Sequence, residues 1–346
     1  MKNKSAIKVG IAGLGRSGWD IHRKLIEPLS DKYEITAVFD KSPERMKEAA
    51  DKFNCKTYKT FGKLIADKDV ELVIVAMPNK LHSKLSIEAM KAGKNVVCEK
   101  PMAMSLADAR KMVECSKKTK RILAVFQNAR YKPDFVKVKE VIESGKLGRI
   151  VQIKMNYHSF GRRWDWQTLK KLGGGSTNNT GPHPIDQALV LFGNKEPEVF
   201  CLRDKALTLG DADDHVKVIL YGKNAPSIEV EITAASAFPQ QNWIVMGNRG
   251  GLSGTFSELK WKYFKAGSLP KRKVEEAPTP DRSYNSEEIK FIEESWKIEN
   301  DKTPGQTGFY LDLFETLRKR KPLYITPDSV CLQMKILDKC RKMAPV

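Results

Sequence analysis

The chain has 346 residues, 41% of them hydrophobic, and a formal net charge of +19, which is enough apolar material for about two domains with a core in each. Its longest apolar runs, Leu72 to Met77 and Ile122 to Phe126, fall far short of the roughly 20 residues that cross a bilayer, so no membrane segment is expected. The six cysteines (Cys55, Cys98, Cys115, Cys201, Cys331, Cys340) include no C-x-x-C pair and no His/Cys cluster at zinc spacing, which leaves free thiols and no metal site.

The basic stretch Met1-Lys2-Asn3-Lys4 runs into a strand with no apolar h-region or small-residue cleavage site, and a cytoplasmic location is expected. The basic excess has two readings, a solvated surface or an anionic partner such as nucleic acid. The lysines are scattered from end to end, and the one dense run, Arg318-Lys319-Arg320-Lys321, closes a predicted helix where cations suit the negative end of the dipole. The solvated surface is therefore the favoured reading, with no nucleic-acid partner expected.

Predicted strands fall at Ile7 to Ala12, Glu34 to Phe39, Leu72 to Ala76, Asn95 to Cys98 and Ile122 to Phe126. Between them lie predicted helices near Ser17 to Leu29, Pro43 to Phe53, His82 to Ala92 and Leu106 to Lys117. Apolar strands alternating with helices indicate a parallel sheet covered on both faces. After Phe126 the rhythm changes to a helix over Asp134 to Ser144, a turn at Gly145 to Gly148 and a strand through Ile150 to Tyr157. Successive β-type runs follow at Val199 to Arg203, Val216 to Tyr221, Ile228 to Ala234 and Trp243 to Met246, the pattern of an antiparallel sheet. Ala266 to Ser286 reads as a long loop, and helices at Gly308 to Arg320 and Pro327 to Lys342 close the chain. The fold class is α/β, with one domain over residues 1–126 and a second over 127–346.

Val9-Gly10-Ile11-Ala12-Gly13-Leu14-Gly15-Arg16-Ser17-Gly18 places G-x-G-x-x-G after a strand and at the start of a helix. Gly13 permits the tight turn, Gly15 lets the backbone approach a pyrophosphate, and Gly18 lets the helix pack on the strand. The helix N-terminus then faces the phosphates, which points to a doubly wound Rossmann domain. Asp40 ends the second strand 22 residues after Gly18. A carboxylate there accepts the adenosine ribose hydroxyls and repels a 2′-phosphate, so NAD is favoured over NADP. Lys41 and Arg45 follow closely and are the two cations that could hold a 2′-phosphate instead. Met77, Pro78 and Asn79 sit at a strand's carboxyl end and should border the cofactor, with His82 read as a cofactor neighbour and not a catalyst. The strand ending in Glu99-Lys100-Pro101 aims a lysine into the same crevice, where an ammonium would lower the cost of negative charge developing on a substrate oxygen.

G-x-G-x-x-G, Pro78-Asn79-x-x-His82, Glu99-Lys100-Pro101 and the segment Gly173-Gly174-Gly175-Ser176-Thr177-Asn178-Asn179-Thr180-Gly181-Pro182-His183-Pro184-Ile185-Asp186 occur in order along the whole chain. Together they resemble the glucose-fructose oxidoreductase / inositol dehydrogenase / rhizopine catabolism (Gfo/Idh/MocA) family. The resemblance implies an N-terminal Rossmann domain and a C-terminal α/β domain with a large, mostly antiparallel open sheet. It also implies a homodimer or homotetramer formed through that sheet, and hydride transfer on a sugar or polyol. It assigns catalysis to Lys100 and His183, and an unperturbed imidazole is the usual proton carrier at neutral pH. In the family an aspartate usually stands four residues before that histidine, and here the position is Asn179, whose amide can orient an imidazole or a sugar hydroxyl but cannot take a proton. Asp186, three residues after His183, either supplies the missing carboxylate or anchors its helix to the cofactor domain.

Arg162-Arg163-Trp164-Asp165-Trp166-Gln167 combines flat aromatic faces suited to sugar rings with Arg and Asp suited to vicinal hydroxyls. Arg163, Trp164 and Trp166 are therefore substrate candidates beside Lys100, Asn179 and His183. Asn128 is expected to contact the cofactor, with Arg130 and Tyr131 close by. The reading is an NAD-dependent dehydrogenase of a sugar, cyclitol or glycoside in which Lys100 polarises the reacting oxygen and His183 shuttles its proton. Two alternatives stand beside it: a glycosidase-type enzyme working through a transient keto-sugar, and a dinucleotide-binding regulatory protein.

Overall fold

The computed structural model describes residues 6–346, so the basic stretch Met1 to Lys4 lies outside the described residues. The first unit begins with β1 (Ile7–Ala12), followed by a π-helical turn over Arg16–Arg23 that runs into α1 (Lys24–Ile26). Then come β2 (Tyr33–Phe39), α2 (Pro43–Phe53), β3 (Lys56–Thr57), α3 (Phe61–Ala66) and β4 (Leu72–Val75). The unit ends with α4 (His82–Lys91), β5 (Asn95–Cys98), α5 (Leu106–Thr119) and β6 (Leu123–Val125). The six strands pair in parallel in the order β3-β2-β1-β4-β5-β6. The order reverses between β1 and β4, and the crevice beyond their carboxyl ends is where a doubly wound sheet takes its ligand.

Local chemistry fixes the helix boundaries. Ser42, with Pro43 behind it, caps α2 by accepting from the Arg45 amide at 3.2 Å, and Ser105 caps α5 by accepting from the Asp108 amide at 3.1 Å. Asn54 and Lys120 close the same two helices in the left-handed conformation. Every residue of β4 is buried, as expected of a strand covered on both faces, and each such Leu, Val or Ile contributes about 1.5–3 kcal/mol by leaving water.

The second unit contains α6 (Pro133–Glu143), β7 (Ile150–His158), the short α7 (Ser176–Asn179) and α8 (Pro182–Leu191). Seven strands follow: β8 (Glu198–Asp204), β9 (His215–Tyr221), β10 (Ser227–Thr233), β11 (Trp243–Gly247), β12 (Gly250–Gly254), β13 (Glu258–Tyr263) and β14 (Ile292–Lys297). With β7 they form an eight-stranded sheet, β14-β13-β12-β11-β7-β10-β9-β8, antiparallel except for the β7/β10 pair. Strict alternation in β9 and β10 buries Val216, Val218, Leu220, Ile228, Val230 and Ile232 on one face. The chain closes with α9 (Gly308–Lys319), which ends in left-handed Arg320, and α10 (Pro327–Met343), capped by Thr326.

These last two helices return to the first unit. The Tyr33 hydroxyl donates to the Tyr310 carbonyl at 2.7 Å, the Leu106 amide donates to Asp338 at 2.9 Å, and Gln127 donates to Gln333 at 3.0 Å. Within the basic run, Arg318 pairs with Glu71 while Lys319 and Lys321 both pair with Glu315. No described helix is long and apolar enough to cross a membrane.

Candidate active site

Two glycines of the first loop are fixed by backbone contacts. Gly13 has φ +95, and a Cβ there would lie 2.4 Å from the Ala76 carbonyl; a Cβ on Gly18 would lie 1.9 Å from the Gly13 carbonyl. At Gly15 the nearest atom to such a Cβ is 3.9 Å away, so this edge of the loop is open to an approaching group. The loop thus has the shape of a phosphate cradle. Asp40 pins it in place: its carboxylate accepts from the Leu14 amide at 2.6 Å and from the Ser42 amide at 2.9 Å. Leu14 itself points into the core.

The cleft over this loop encloses about 620 Å³ and is lined by Gly13, Gly15, Arg16, Ser17, Asp40, Lys41, Arg45, Met77, Pro78, Asn79, His82, Glu99 and Lys100, with Arg163, Asp165, Trp166, Gln167 and Asn179 on the opposite wall. Most of the sequence-predicted cofactor residues are therefore gathered on one surface. His82 is buried, with Nδ1 2.7 Å from the Pro101 carbonyl and Nε2 2.7 Å from the Met77 carbonyl. Its polar atoms tie two loop segments together, and burial lowers its pKa. Asn128 is buried at the start of the 3-10 turn Asn128–Tyr131 that follows β6, off the cleft wall, and its Oδ1 has no hydrogen-bond partner among the described residues.

The Lys100 ammonium donates to the Asn179 carbonyl at 2.8 Å. Burial depresses its pKa, the Glu99 carboxylate opposes that shift, and the Arg16 charge adds to it. The side chain of Asn179 has a different task from the carboxylate that the family resemblance implies at this position: its Nδ2 donates to the Gln167 carbonyl at 3.1 Å, beside the Gly175 amide at 2.8 Å on the same oxygen. A carboxylate there would face a carbonyl, acceptor against acceptor. Asn179 therefore fastens the Arg163–Gln167 segment over the cleft. Within that segment Arg163 donates twice to Asp165, at 2.9 Å each, and to Gln167 at 2.7 Å. Trp166 lines the cleft, whereas Trp164 is 76% exposed and off its wall.

A second cavity of about 310 Å³ adjoins the first and shares Arg163, Gln167 and Asn179 with it. Its remaining wall is rich in hydroxyl, amide and imidazole groups, from Tyr157, His158, Ser159, Thr168, Ser176, Thr180, Thr208, Thr233 and Asn242. The two aspartates on it are already engaged. Asp213 accepts from Thr177 and Arg203, and Asp214 accepts from the amides of Ala206, Leu207 and Thr208. Apart from Arg163, Gln167, Gly175, Ser176, Asn179 and Thr180, this wall carries no motif in the sequence. Its members come from strands and loops far apart in the chain, with no local spacing to mark them.

His183 enters at the start of α8 and lines neither cavity wall. Its Nδ1 is buried without a partner among the described residues, so no carboxylate orients the ring. Burial, then the charges of Lys100 and Lys132, hold its pKa well below the ordinary value. The imidazole is therefore neutral in the folded protein. The unfolded chain takes up that proton below roughly pH 6.5, so the stability associated with neutral His183 is complete above that pH and lost as pH falls. Thermal melts should show the protein weakening by about 1.4 kcal/mol per pH unit for each such histidine below this point. His183→Gln should have a shallower slope between pH 7.5 and 5.5, and an unchanged slope would contradict a buried neutral ring.

Asp186 is taken by Arg130, whose Nε and terminal nitrogen donate to the two carboxylate oxygens at 2.6 and 2.7 Å with both residues buried. Burial opposes the Arg130 charge, and the bonds to Asp186 outweigh it, so the guanidinium pKa is raised. The pair fastens α8 to the turn Asn128–Tyr131 just past β6, within the second unit and not to the cofactor domain. Gln187 adds a bond to the Ala129 carbonyl at 2.7 Å, Tyr157 donates to Gln187 at 3.0 Å, and Gln333 donates to the Pro182 carbonyl. Together these bonds set the position from which His183 projects.

Residues 7–127 match the oxidoreductase family with an NAD-binding Rossmann fold, GFO_IDH_MocA, and residues 135–253 match the GFO/IDH/MocA C-terminal domain. An uncharacterized oxidoreductase of Schizosaccharomyces pombe is 26% identical over 97% of this chain and 96% of its own length. The myo-inositol 2-dehydrogenase of Thermotoga maritima is 30% identical over 70% of this chain and 74% of its own. The solved structure of an NAD-binding protein from Listeria innocua superposes with a TM-score of 0.83 at 26% identity, covering 98% of this chain and 97% of that one. The chain belongs to the Gfo/Idh/MocA family of NAD-binding oxidoreductases.

Proposed function

We propose that the protein is an NAD-dependent dehydrogenase acting on a secondary alcohol of a sugar, cyclitol or glycoside. The observation that carries this reading is the position of Lys100: its ammonium is held by the Asn179 carbonyl at the boundary between the dinucleotide-shaped cleft and the hydroxyl-rich cavity. The similarity to a myo-inositol 2-dehydrogenase supports a polyol as substrate. A bound nicotinamide supplies the hydride acceptor; the Gly13–Gly18 loop and Asp40 would hold the dinucleotide. In the oxidation direction uncharged Lys100 takes the hydroxyl proton, and in the reverse direction its ammonium returns that proton to the carbonyl oxygen. The family resemblance would give the proton to His183. Its depressed pKa suits a neutral hydrogen-bonding ring better, and Lys100 is the group on the cleft wall.

The experiment is a panel of inositols, sugars and aryl glycosides incubated with NAD and followed at the NADH absorbance band. NADH accumulation with a polyol supports the dehydrogenase; aglycone release without net NADH would replace it with keto-sugar glycosidase chemistry.

NAD is preferred over NADP in this proposal because the half-buried Asp40 carboxylate stands where a 2′-phosphate would have to approach. NADH should bind about tenfold tighter than NADPH, roughly 1.4 kcal/mol of like-charge repulsion. Tighter NADPH binding in fluorescence titrations would instead assign the phosphate to Lys41 and Arg45 on the same rim.

The outer face of the eight-stranded sheet exposes Phe200, Leu202, Tyr221 and Met246, and the proposal extends to a homo-oligomer closing over it. Sedimentation of the chain as a monomer at micromolar concentration would remove that extension.

A further inference from the structure

A buried chain of hydrogen bonds behind the cleft has no part in the chemistry described above. His22 and Tyr310 are both fully buried, and the His22 Nδ1 lies 2.6 Å from the Tyr310 hydroxyl. The other ring nitrogen, Nε2, lies 3.1 Å from Glu99 Oε1. Ser17 donates its hydroxyl to that same carboxylate oxygen, and the Lys100 amide donates to Oε2 at 2.9 Å. Burial alone would raise the pKa of Glu99, but the bond and charge of His22, the charge of Lys100 and the bond from Ser17 hold it well below the usual carboxylate range. An ionised carboxylate only accepts, so His22 Nε2 donates to Glu99, and Nδ1 is hydrogen-bonded to the Tyr310 hydroxyl.

The ring is fixed from every side. It packs on Phe126 at a centroid distance of 4.2 Å, and Tyr33, which donates to the Tyr310 carbonyl, stacks edge-on against Tyr310 at 5.4 Å. His22 reaches Glu99 from the π-helical turn Arg16–Arg23, a wide turn of the kind that recurs at functional sites. The same turn carries Ser17 on the cleft wall. The carboxylate of Glu99 therefore joins the phosphate-cradle turn to the backbone of Lys100, and among the described residues its other side-chain support comes through His22 from a helix near the end of the chain.

We infer that Glu99, His22 and Tyr310 form a positioning unit that locks Ser17 and Lys100 into one rigid dinucleotide-binding wall, so that a tyrosine on α9 sets dinucleotide affinity without touching the dinucleotide. The unit is not a proton path, because among the described residues the chain of side-chain bonds ends at the fully buried Tyr310 hydroxyl. Its effect is preorganisation: a wall already in place loses less freedom when the dinucleotide is bound.

The inference rests on dinucleotide binding and is independent of the polyol reading. The test is NADH titration by fluorescence of the full chain, with a thermal melt on every variant. Tyr310→Phe removes one buried oxygen and should weaken NADH about fivefold, the worth of one neutral hydrogen bond. His22→Leu removes a bond to a charged group and should weaken NADH about tenfold or more. His22→Gln keeps a donor for Glu99 and should recover most of that loss. If His22→Leu does not fold, Tyr310→Phe and the isosteric Glu99→Gln carry the test. Rescue by glutamine, or weakened NADH binding in Tyr310→Phe without a matching loss of melting temperature, supports the unit. Folded Tyr310→Phe and His22→Leu that bind NADH like the wild type overturn it, and a wild-type chain that takes up no NADH overturns dinucleotide binding itself.

Discussion

Lys100→Ala should lower turnover of the alcohol substrate by about 10³-fold, the usual cost of losing a positioned acid–base group together with its stabilisation of a developing oxyanion. NADH binding should survive, because the loop from Gly13 to Gly18 and the Asp40 bonds that pin it do not involve this side chain. The pH dependence has a definite sign. Burial lowers the pKa of Lys100, so as pH rises the proton is lost at a lower pH than from an ordinary lysine. Alcohol oxidation, which needs the free amine, should rise through that pH, and reduction of the ketone, which needs the ammonium, should fall through it. A variant that retains near wild-type turnover on an identified substrate removes Lys100 from the mechanism.

The largest effect on stability is expected at the Arg130–Asp186 pair. Arg130→Met leaves a fully buried carboxylate without its partner, a loss of roughly 3–5 kcal/mol by the behaviour of broken buried ion pairs. The double variant Arg130→Met with Asp186→Leu should recover most of that loss, since two apolar groups leave no buried charge behind. Denaturant unfolding of the singles and the double provides the cycle. Equal loss in the double and in Arg130→Met would mean that the pair contributes through packing and not through charge. Asp186→Asn separates anchor from catalyst: as an anchor it loses stability while the folded fraction keeps its turnover, whereas a catalytic carboxylate would lose turnover outright.

The parts of the molecule legible in the sequence are those with local signals. The alternation of apolar strands with capped helices places β1, β2, β4, β5 and β6 within a residue or two of their observed bounds. The glycine spacing identifies the cradle because each glycine answers a short-range contact. The elements that were missed have weak or short patterns. Strand β3 is two residues long, α3 is six, β12 is Gly-Gly-Leu-Ser-Gly, and β14 follows a long polar loop. Strand β13, Glu-Leu-Lys-Trp-Lys-Tyr, does alternate, and its period of two could have identified it. The helix predicted over Ser17 to Leu29 is observed as π, α and 3-10 turns in succession, a distinction that apolar periodicity does not encode.

The candidate site divides along the same line. Lys100, Asp40 and Asn179 were legible because each sits inside a short motif. The role of Asn179 as a donor to Gln167 was not, because it depends on a backbone oxygen that the fold brings up from 12 residues away. His22 and Tyr310 lie 288 residues apart. Only the fold places them behind Glu99.

In the proposed reaction, hydride moves between nicotinamide and a carbinol carbon in the cavity beside Lys100. The most direct measurement is reduction of a keto-inositol or keto-sugar with NADH carrying deuterium at C4, with the product analysed by mass spectrometry and NMR. Deuterium on the new carbinol carbon, formed by the wild type and not by Lys100→Ala, is the expected result. Turnover that leaves the carbinol carbon unlabelled, or that proceeds equally well without Lys100, would contradict it.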